Sequence, residues 1–383
     1  MYDAAVSRQT EQEDSLFFYS SGPDAAARAA CALPPSIESS AACDRRARRT
    51  MGSAAESTEI VFDCDRFRLY SDGRVQRDGG MQTVPAGFDP GTGVTSKDVV
   101  VDAATGVATR LYLPAPVQHT SPEAVDGATT TTTKLPVLVL FHGGYFVVGS
   151  PAHPDFHSYV NSVVASARVV AVSVGYRLAP EHPLPAAYDD AWAALAWALS
   201  PGADPWLTAH GDLARVFLAG ASAGANIAHN VAVAAGVRGL PRPSSLHPPP
   251  RVEGVLLLHP SFAGEQKLEE ERREFWLPNK RRWGAIFPGA TGGADDPRIN
   301  PMAPAAPSLA KLVGETMLVC TASEDPRAPR GRAYSQAVAA SGWSGKLEWF
   351  ESKAQGHVFF VLNHGSQEAV ALMDRVVRFF DGH

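Results

Sequence analysis

The chain has 383 residues, 45% of them hydrophobic, with a formal net charge of −6 and a pI near 6.1. That acidic balance argues against a dedicated nucleic-acid binder, which carries a basic surface, and no apolar run approaches the ~18 residues a membrane-spanning helix needs. Four cysteines, Cys31, Cys43, Cys64 and Cys320, are scattered without metal-ligand spacing and suit a reducing compartment better than secretion.

The first fifty residues are rich in Ala and Ser and end in the basic run DRRARRT, without sustained apolar periodicity. This composition predicts a disordered leader over 1–50. Glu11, Glu13, Asp14 and Asp24 make it too acidic for a transit peptide, and a signal peptide's basic-then-apolar pattern is lacking. The cytoplasm is therefore the expected compartment, with the nucleus as a second one. Met51 is the expected biological start. The myristoylation pattern fails there, because the position that needs Ser or Thr holds Glu56.

Strand-like alternation begins after Met51, and from about residue 97 the chain alternates strands with helices. KDVVVD and ATRLYLPA read as paired strands, and LPVLVLF as a buried one, with TTTTTK between them as a surface loop. A helix near 155–166, the strand RVVAVSV, a helix over DDAWAALAWAL and the strand RVFLAGA follow. After the small-residue helix SAGANIAHNVAVAA come the connector PRPSSLHPPP and the strand GVLLLHP. The strand ETMLVCTA, a helix near 331–341, the strand KLEWFE and a terminal helix close the chain. Such alternation predicts an α/β fold: a mostly parallel central sheet with helices on both faces. The segment 264–310 breaks the rhythm. EQKLEEERREFW reads as helix, PGATGGADDPRINPMAP as loop, and the charge runs EEERRE and KRR as solvated faces. Together with residues 51–90, this insertion is expected to form a cap over the sheet's C-terminal edge, within one domain spanning 51–383.

Ligands of open α/β sheets sit at the carboxyl ends of the strands, and four unusual stretches fall there. GASAG, Gly220 to Gly224, joins a strand to a helix in the pattern of a nucleophile elbow, where the turn strains Ser222 and the glycines admit neighbouring backbone. At average glycine usage the bare pattern arises by chance in roughly one chain in ten, so its placement carries the weight. HGG at 142–144 ends a core strand with exposed backbone. The amides of Gly143 and Gly144, with that of Ala223, are the candidate oxyanion donors. SED at 323–325 and GHVFF at 356–360 follow two further strands and offer Asp325 and His357. The order Ser222, Asp325, His357 is that of α/β hydrolases. His259 and Glu324 are rivals that fit the order and flanks less well.

With these motifs the chain resembles the plant carboxylesterases of the hormone-sensitive-lipase-like branch of α/β hydrolases. The likeness extends over VSVGYRLAPEHPLPAAYDD at 172–190, DPRAPRGRAY at 325–334 and GWSGKLEWFE…GHVFF, and so over residues 57 to 381. It implies a serine carboxylesterase acting on small esters through Ser222, Asp325 and His357 and an acyl-enzyme, with no metal and no cofactor. It also implies that Glu181, His182 and Asp190 are scaffold. The expected partner is a small-molecule ester, not nucleic acid or membrane, and the oligomeric state is open. The family's usual HGGG is here HGG followed by Tyr145, which with Phe146 is expected to line the substrate pocket. The elbow reads GASAGAN where the family often has GDSAGGN, so that Ala221 and Ala225 tune its strain. Two other readings share these motifs. One is a gibberellin-receptor-like binding protein, from which the retained His357 distinguishes this chain. The other is a hydroxyisoflavanone dehydratase-like lyase.

Overall fold

A computed structural model describes residues 59–64, 66–78, 81–116, 134–241 and 248–382. The leader 1–50, most of TTTTTK and much of the Pro-rich connector lie outside these. The described chain opens with three short strands, β1 (Ile60–Cys64), β2 (Phe67–Tyr70) and β3 (Val75–Arg77), paired antiparallel in a small sheet of their own. The main sheet takes β4 (Thr95–Asp102), β5 (Val107–Leu113), β6 (Leu135–Phe141), β7 (Val170–Gly175), β8 (Gly211–Ala221), β9 (Val252–Leu258), β10 (Thr316–Ala322) and β11 (Lys346–Ser352). Its order is β11-β10-β9-β8-β6-β7-β5-β4. The six strands from β11 to β7 run parallel, and β5 and β4 add antiparallel at one edge.

The helices are α1 (Pro154–Ala167), α2 (Ala186–Ala198), α3 (Pro205–His210), α4 (Ala223–Arg238), α5 (Arg273–Ile286), α6 (Ala328–Ala340), α7 (Phe359–Leu362) and α8 (Gln367–Asp381). Side chains of a strand alternate between faces, and β6 displays this directly. Val137, Val139 and Phe141 enter the core layer shared with α2, α4 and α6, whereas Leu138 and Leu140 enter the layer under α1 and α8. A strand buried on both faces reads as a continuous apolar run, which is why LPVLVLF was legible as a core strand. α8 presents Leu372, Val376, Phe379 and Phe380 at helical spacing and is capped by Ser366, whose hydroxyl accepts the Ala369 amide proton.

The insertion departs from its sequence reading. Helix α5 begins only at Arg273, and residues 265–272 form turns. The reason is a buried ion pair: Glu271 meets Arg330 of α6, Nε to Oε1 at 2.7 Å, both side chains nearly inaccessible. The same carboxylate accepts the Leu268 amide proton, and Arg330 also donates to the carbonyls of Ala263 and Gln266. Arg282, in the KRR run, is likewise fully buried. Neither charge run is simply a solvated face. The stretch 176–190 is tied internally: Asp190 is buried against Arg177 at 2.7 Å, and Glu181 takes both terminal nitrogens of Arg77 from β3.

Candidate active site

Ser222 stands between β8 and α4 with φ 55° and ψ −115°, a left-handed conformation that L-residues avoid. Backbone bonds hold it there: its amide donates to the Leu258 carbonyl at 2.9 Å, and its carbonyl accepts from Ser261 at 3.1 Å and Asn226 at 3.2 Å. The flanking glycines are steric requirements. A Cβ on Gly220 would overlap the Gly224 carbonyl, and one on Gly224 would overlap the Phe141 carbonyl of β6. Ala221 and Ala225 are buried in the turn.

His357 and Asp325 converge on this serine from the loops after β11 and β10. The His357 Nε2 lies 2.7 Å from Ser222 Oγ, and its Nδ1 lies 2.6 Å from Asp325 Oδ2. The tautomer consistent with both contacts carries its proton on Nδ1, donates it to the carboxylate and accepts the serine hydroxyl proton at Nε2. All three side chains are buried. Burial, aided by the positive charge of Arg327, pushes His357 down to about 3 against the opposing pull of Asp325. Burial alone would raise Asp325, but His357, His259 and Arg327 outweigh it and hold the carboxyl well below the ordinary carboxylate range.

The loop after β6 brings Gly143 alongside the serine. A Cβ on Gly143 would stand 3.1 Å from the Ala221 carbonyl oxygen and 3.3 Å from Ser222 Cβ. Gly144 has φ +117°, a conformation only glycine adopts easily, and a Cβ there would overlap the Val148 carbonyl. Ala223 is the first residue of α4, where amides lack intrahelical acceptors and the helix dipole is positive. Gly143 thus lies beside Ser222 from the neighbouring strand end, and Ala223 follows it at the start of α4. His142 is stacked on Tyr176 with ring centroids 4.2 Å apart, and the Tyr176 hydroxyl donates to the His142 carbonyl at 2.8 Å, which stiffens the loop from behind.

The two residues expected in the pocket part company. Phe146 is sealed in the core against Tyr176, Tyr188 and Trp283, so its ring offers no surface to a ligand. Tyr145 instead turns toward the small sheet and α5. Its ring packs on Phe62 and Phe67, at 6.0 and 5.8 Å, and lies 5.0 Å from the Arg282 guanidinium and 5.1 Å from that of Arg327. Two neighbours of Asp325 and His357 were not assigned a place by sequence reasoning. Arg327 is fully buried two residues beyond Asp325, and His259, the rival imidazole, sits with Nδ1 3.5 Å from Asp325 Oδ2. A charged residue close behind a candidate acid was the available signal for the first, and the end of a core strand for the second. Among the described residues His259, Asp325 and His357 are also grouped closely enough to hold a metal, with donor atoms within 4.8 Å. A metal there would compete with the contacts His357 already makes. A separate hollow of about 380 Å³, lined by Tyr188, Trp192, His229 and Arg298, runs along α2 and α4 and includes none of Ser222, Asp325 and His357.

Comparison with known proteins agrees with this architecture. A family model described as alpha/beta hydrolase fold matches residues 138–361. The chain is 39% identical over 331 residues to tuliposide A-converting enzyme b1, amyloplastic, of Tulipa gesneriana, covering 85% of this chain and 80% of that one. It is 39% identical over 343 residues to 2-hydroxyisoflavanone dehydratase of Glycyrrhiza echinata, covering 85% and 99%. With probable carboxylesterase 4, mitochondrial, of Arabidopsis thaliana it shares 37% over 335 residues, 85% of each chain. Among solved structures, the esterase LipW from Mycobacterium marinum superposes with a TM-score of 0.60 at 27% identity, covering 76% and 82%. The chain belongs to the α/β-hydrolase-fold family. Within it, the chain stands with the plant carboxylesterases and is a carboxylic ester hydrolase.

Proposed function

We propose that the protein is a serine carboxylesterase for small esters, working through Ser222, His357 and Asp325. The observation that carries this reading is the unbroken chain of contacts from Ser222 Oγ to His357 Nε2 at 2.7 Å and from His357 Nδ1 to Asp325 at 2.6 Å. Neutral His357 takes the serine proton as Oγ attacks the ester carbonyl, and Asp325 holds the tautomer and stabilises the imidazolium. The developing oxyanion is met by the amides of Gly143, Gly144 and Ala223. His357 then protonates the leaving alcohol, and in the second half it activates a water that hydrolyses the acyl-enzyme. The small sheet β1–β3 and helix α5, whose side chains bracket Tyr145, act as the cap over this site, and Tyr145 narrows the acyl pocket from the cap side.

Elimination is the second reading, favoured by the likeness to a protein named as a dehydratase. Turnover of p-nitrophenyl acetate by the purified protein beside its Ser222→Ala variant tests the first. A loss of about 10⁴-fold or more in kcat is expected for the variant. No turnover by the folded wild-type protein would overturn the reading, and conversion of a 2-hydroxyisoflavanone with release of water would install the second. No helix among the described residues is long and apolar enough to cross a membrane. Residence in the cytoplasm is proposed on the leader's acidic residues, and plastid or mitochondrial targeting of a full-length fluorescent fusion would overturn it.

A further inference from the structure

Arg327 joins three parts of the site. Its backbone N–H donates to Asp325 Oδ1 at 2.9 Å, and its Nη1 lies 3.8 Å from the same oxygen. Its guanidinium stands 5.1 Å from the ring centroid of Tyr145, on the oxyanion loop, and 4.7 Å from that of Phe275, on α5. The side chain is almost wholly buried. A buried cation is costly unless a carboxylate or aromatic faces compensate it, so these contacts define where Arg327 must sit. They also bear on a strained residue. Tyr145 has φ 59°, a conformation that an aromatic residue keeps only when its surroundings over-determine it. The surroundings here are Arg327, Arg282 and the Phe62–Phe67 pair. Arg282 binds at both ends of the contact: it lies over the ring, and its Nη1 donates to the Tyr145 carbonyl at 3.2 Å.

We propose that Arg327 is a positioning residue of the hydrolase, which sets the triad carboxylate and the oxyanion loop in register with α5. A cation placed there also acts on His357, the partner of that carboxylate. The inference rests on the hydrolase reading of the triad. The groups acting on His357 are Arg327 and Asp325 from the loop after β10 and His259 from the end of β9, with Ser222 at its other nitrogen. Asp325 favours the imidazolium, Arg327 opposes it, and His259 opposes it as well. Burial is the largest influence and keeps the resting base neutral, and Arg327 adds to it against the pull of the carboxylate. The proton that arrives with serine attack is then stabilised by the carboxylate already hydrogen-bonded at Nδ1.

The test compares wild type, Arg327→Lys and Arg327→Met, with the fold of each verified by thermal melting. His357 is followed by NMR of the ¹⁵N-labelled imidazole from pH 4 to 8, assigned by the His357→Gln spectrum, and in parallel kcat/KM for p-nitrophenyl acetate is measured over the same range. In wild type His357 stays neutral across the range. Arg327→Met is expected to raise its midpoint by roughly one to two pH units and bring an acid limb into the rate profile. Arg327→Lys keeps a charge but loses the planar stack, so it leaves the midpoint near wild type while raising KM. An Arg327→Met imidazole that stays neutral down to pH 4 as in wild type, or an upward shift of equal size in both variants, overturns the proposal. The NMR titration needs no turnover, so a failure of the esterase reading itself would show as an inactive wild type and be told apart.

Discussion

At the scale of single residues, the most informative departure is Tyr145. Three consecutive glycines would leave the loop after β6 free, and an aromatic residue with φ 59° must be held instead. Two guanidiniums and two phenylalanine rings hold it. Tyr145→Gly is therefore expected to open the cap side of the acyl pocket and shift preference toward longer acyl chains, with kcat/KM on a hexanoyl relative to an acetyl p-nitrophenyl ester rising by about tenfold. An unchanged chain-length profile would remove Tyr145 from the pocket. Tyr145→Phe keeps the ring and should keep the profile. His357 carries a second residue-scale expectation. An exposed histidine would give an activity that rises through about pH 6.5. Burial and Arg327 move the group down to about 3, so the acid limb of kcat/KM should lie well below pH 6.5.

At the scale of elements, legibility followed the physics of each segment. The core strands were plain in sequence because both faces are apolar, and GASAG was plain because close backbone approach leaves glycine alone at Gly220 and Gly224. Gly220→Ala is expected to destabilise the fold by about 3 kcal/mol, read as a fall in the urea midpoint. Gly202→Ala, where an added Cβ meets nothing within 4 Å, should stay within about 0.5 kcal/mol. The insertion was not legible, since a charge run has the same composition whether it faces water or a buried partner. Glu271 and Arg330 are far apart in sequence, and only the fold brings them together at 2.7 Å. That buried pair joins the turn before α5 to α6, on the same segment as Asp325 and Arg327. Arg330→Met would leave the Glu271 carboxylate buried without its cation and is expected to cost about 3–5 kcal/mol, whereas adding Glu271→Leu should recover most of it. Chemical denaturation of the two single variants and the double variant measures this. Additive losses would mean that the pair contributes no coupling.

At the scale of the whole molecule, His357 is one case of a wider pattern of neutral histidines sealed into the fold. Burial pushes His142 down to about 4 and His229 to about 3, and His357 shares their direction. A histidine whose folded pKa lies below its unfolded value of about 6.5 binds its proton more readily when the chain unfolds. Its stabilising contribution is thus fully present above pH 6.5 and is lost as pH falls toward the folded value. Asp325, held below the ordinary carboxylate range, adds the same sign at lower pH, below about 4. Stability should accordingly be greatest near and above neutrality and decline steadily between pH 6.5 and 4, each such histidine adding a slope of about 1.4 kcal/mol per pH unit in that window. His229 is the clean probe, because it lies two turns along α4 from Ser222, bonded to the Tyr334 hydroxyl at 2.9 Å. His229→Gln lowers stability at every pH through that lost partner, but the slope is the readout. Urea midpoints collected from pH 7 to 4 should fall less steeply in the variant by about one proton's worth, and parallel curves would show that His229 takes up its proton at the same pH folded as unfolded.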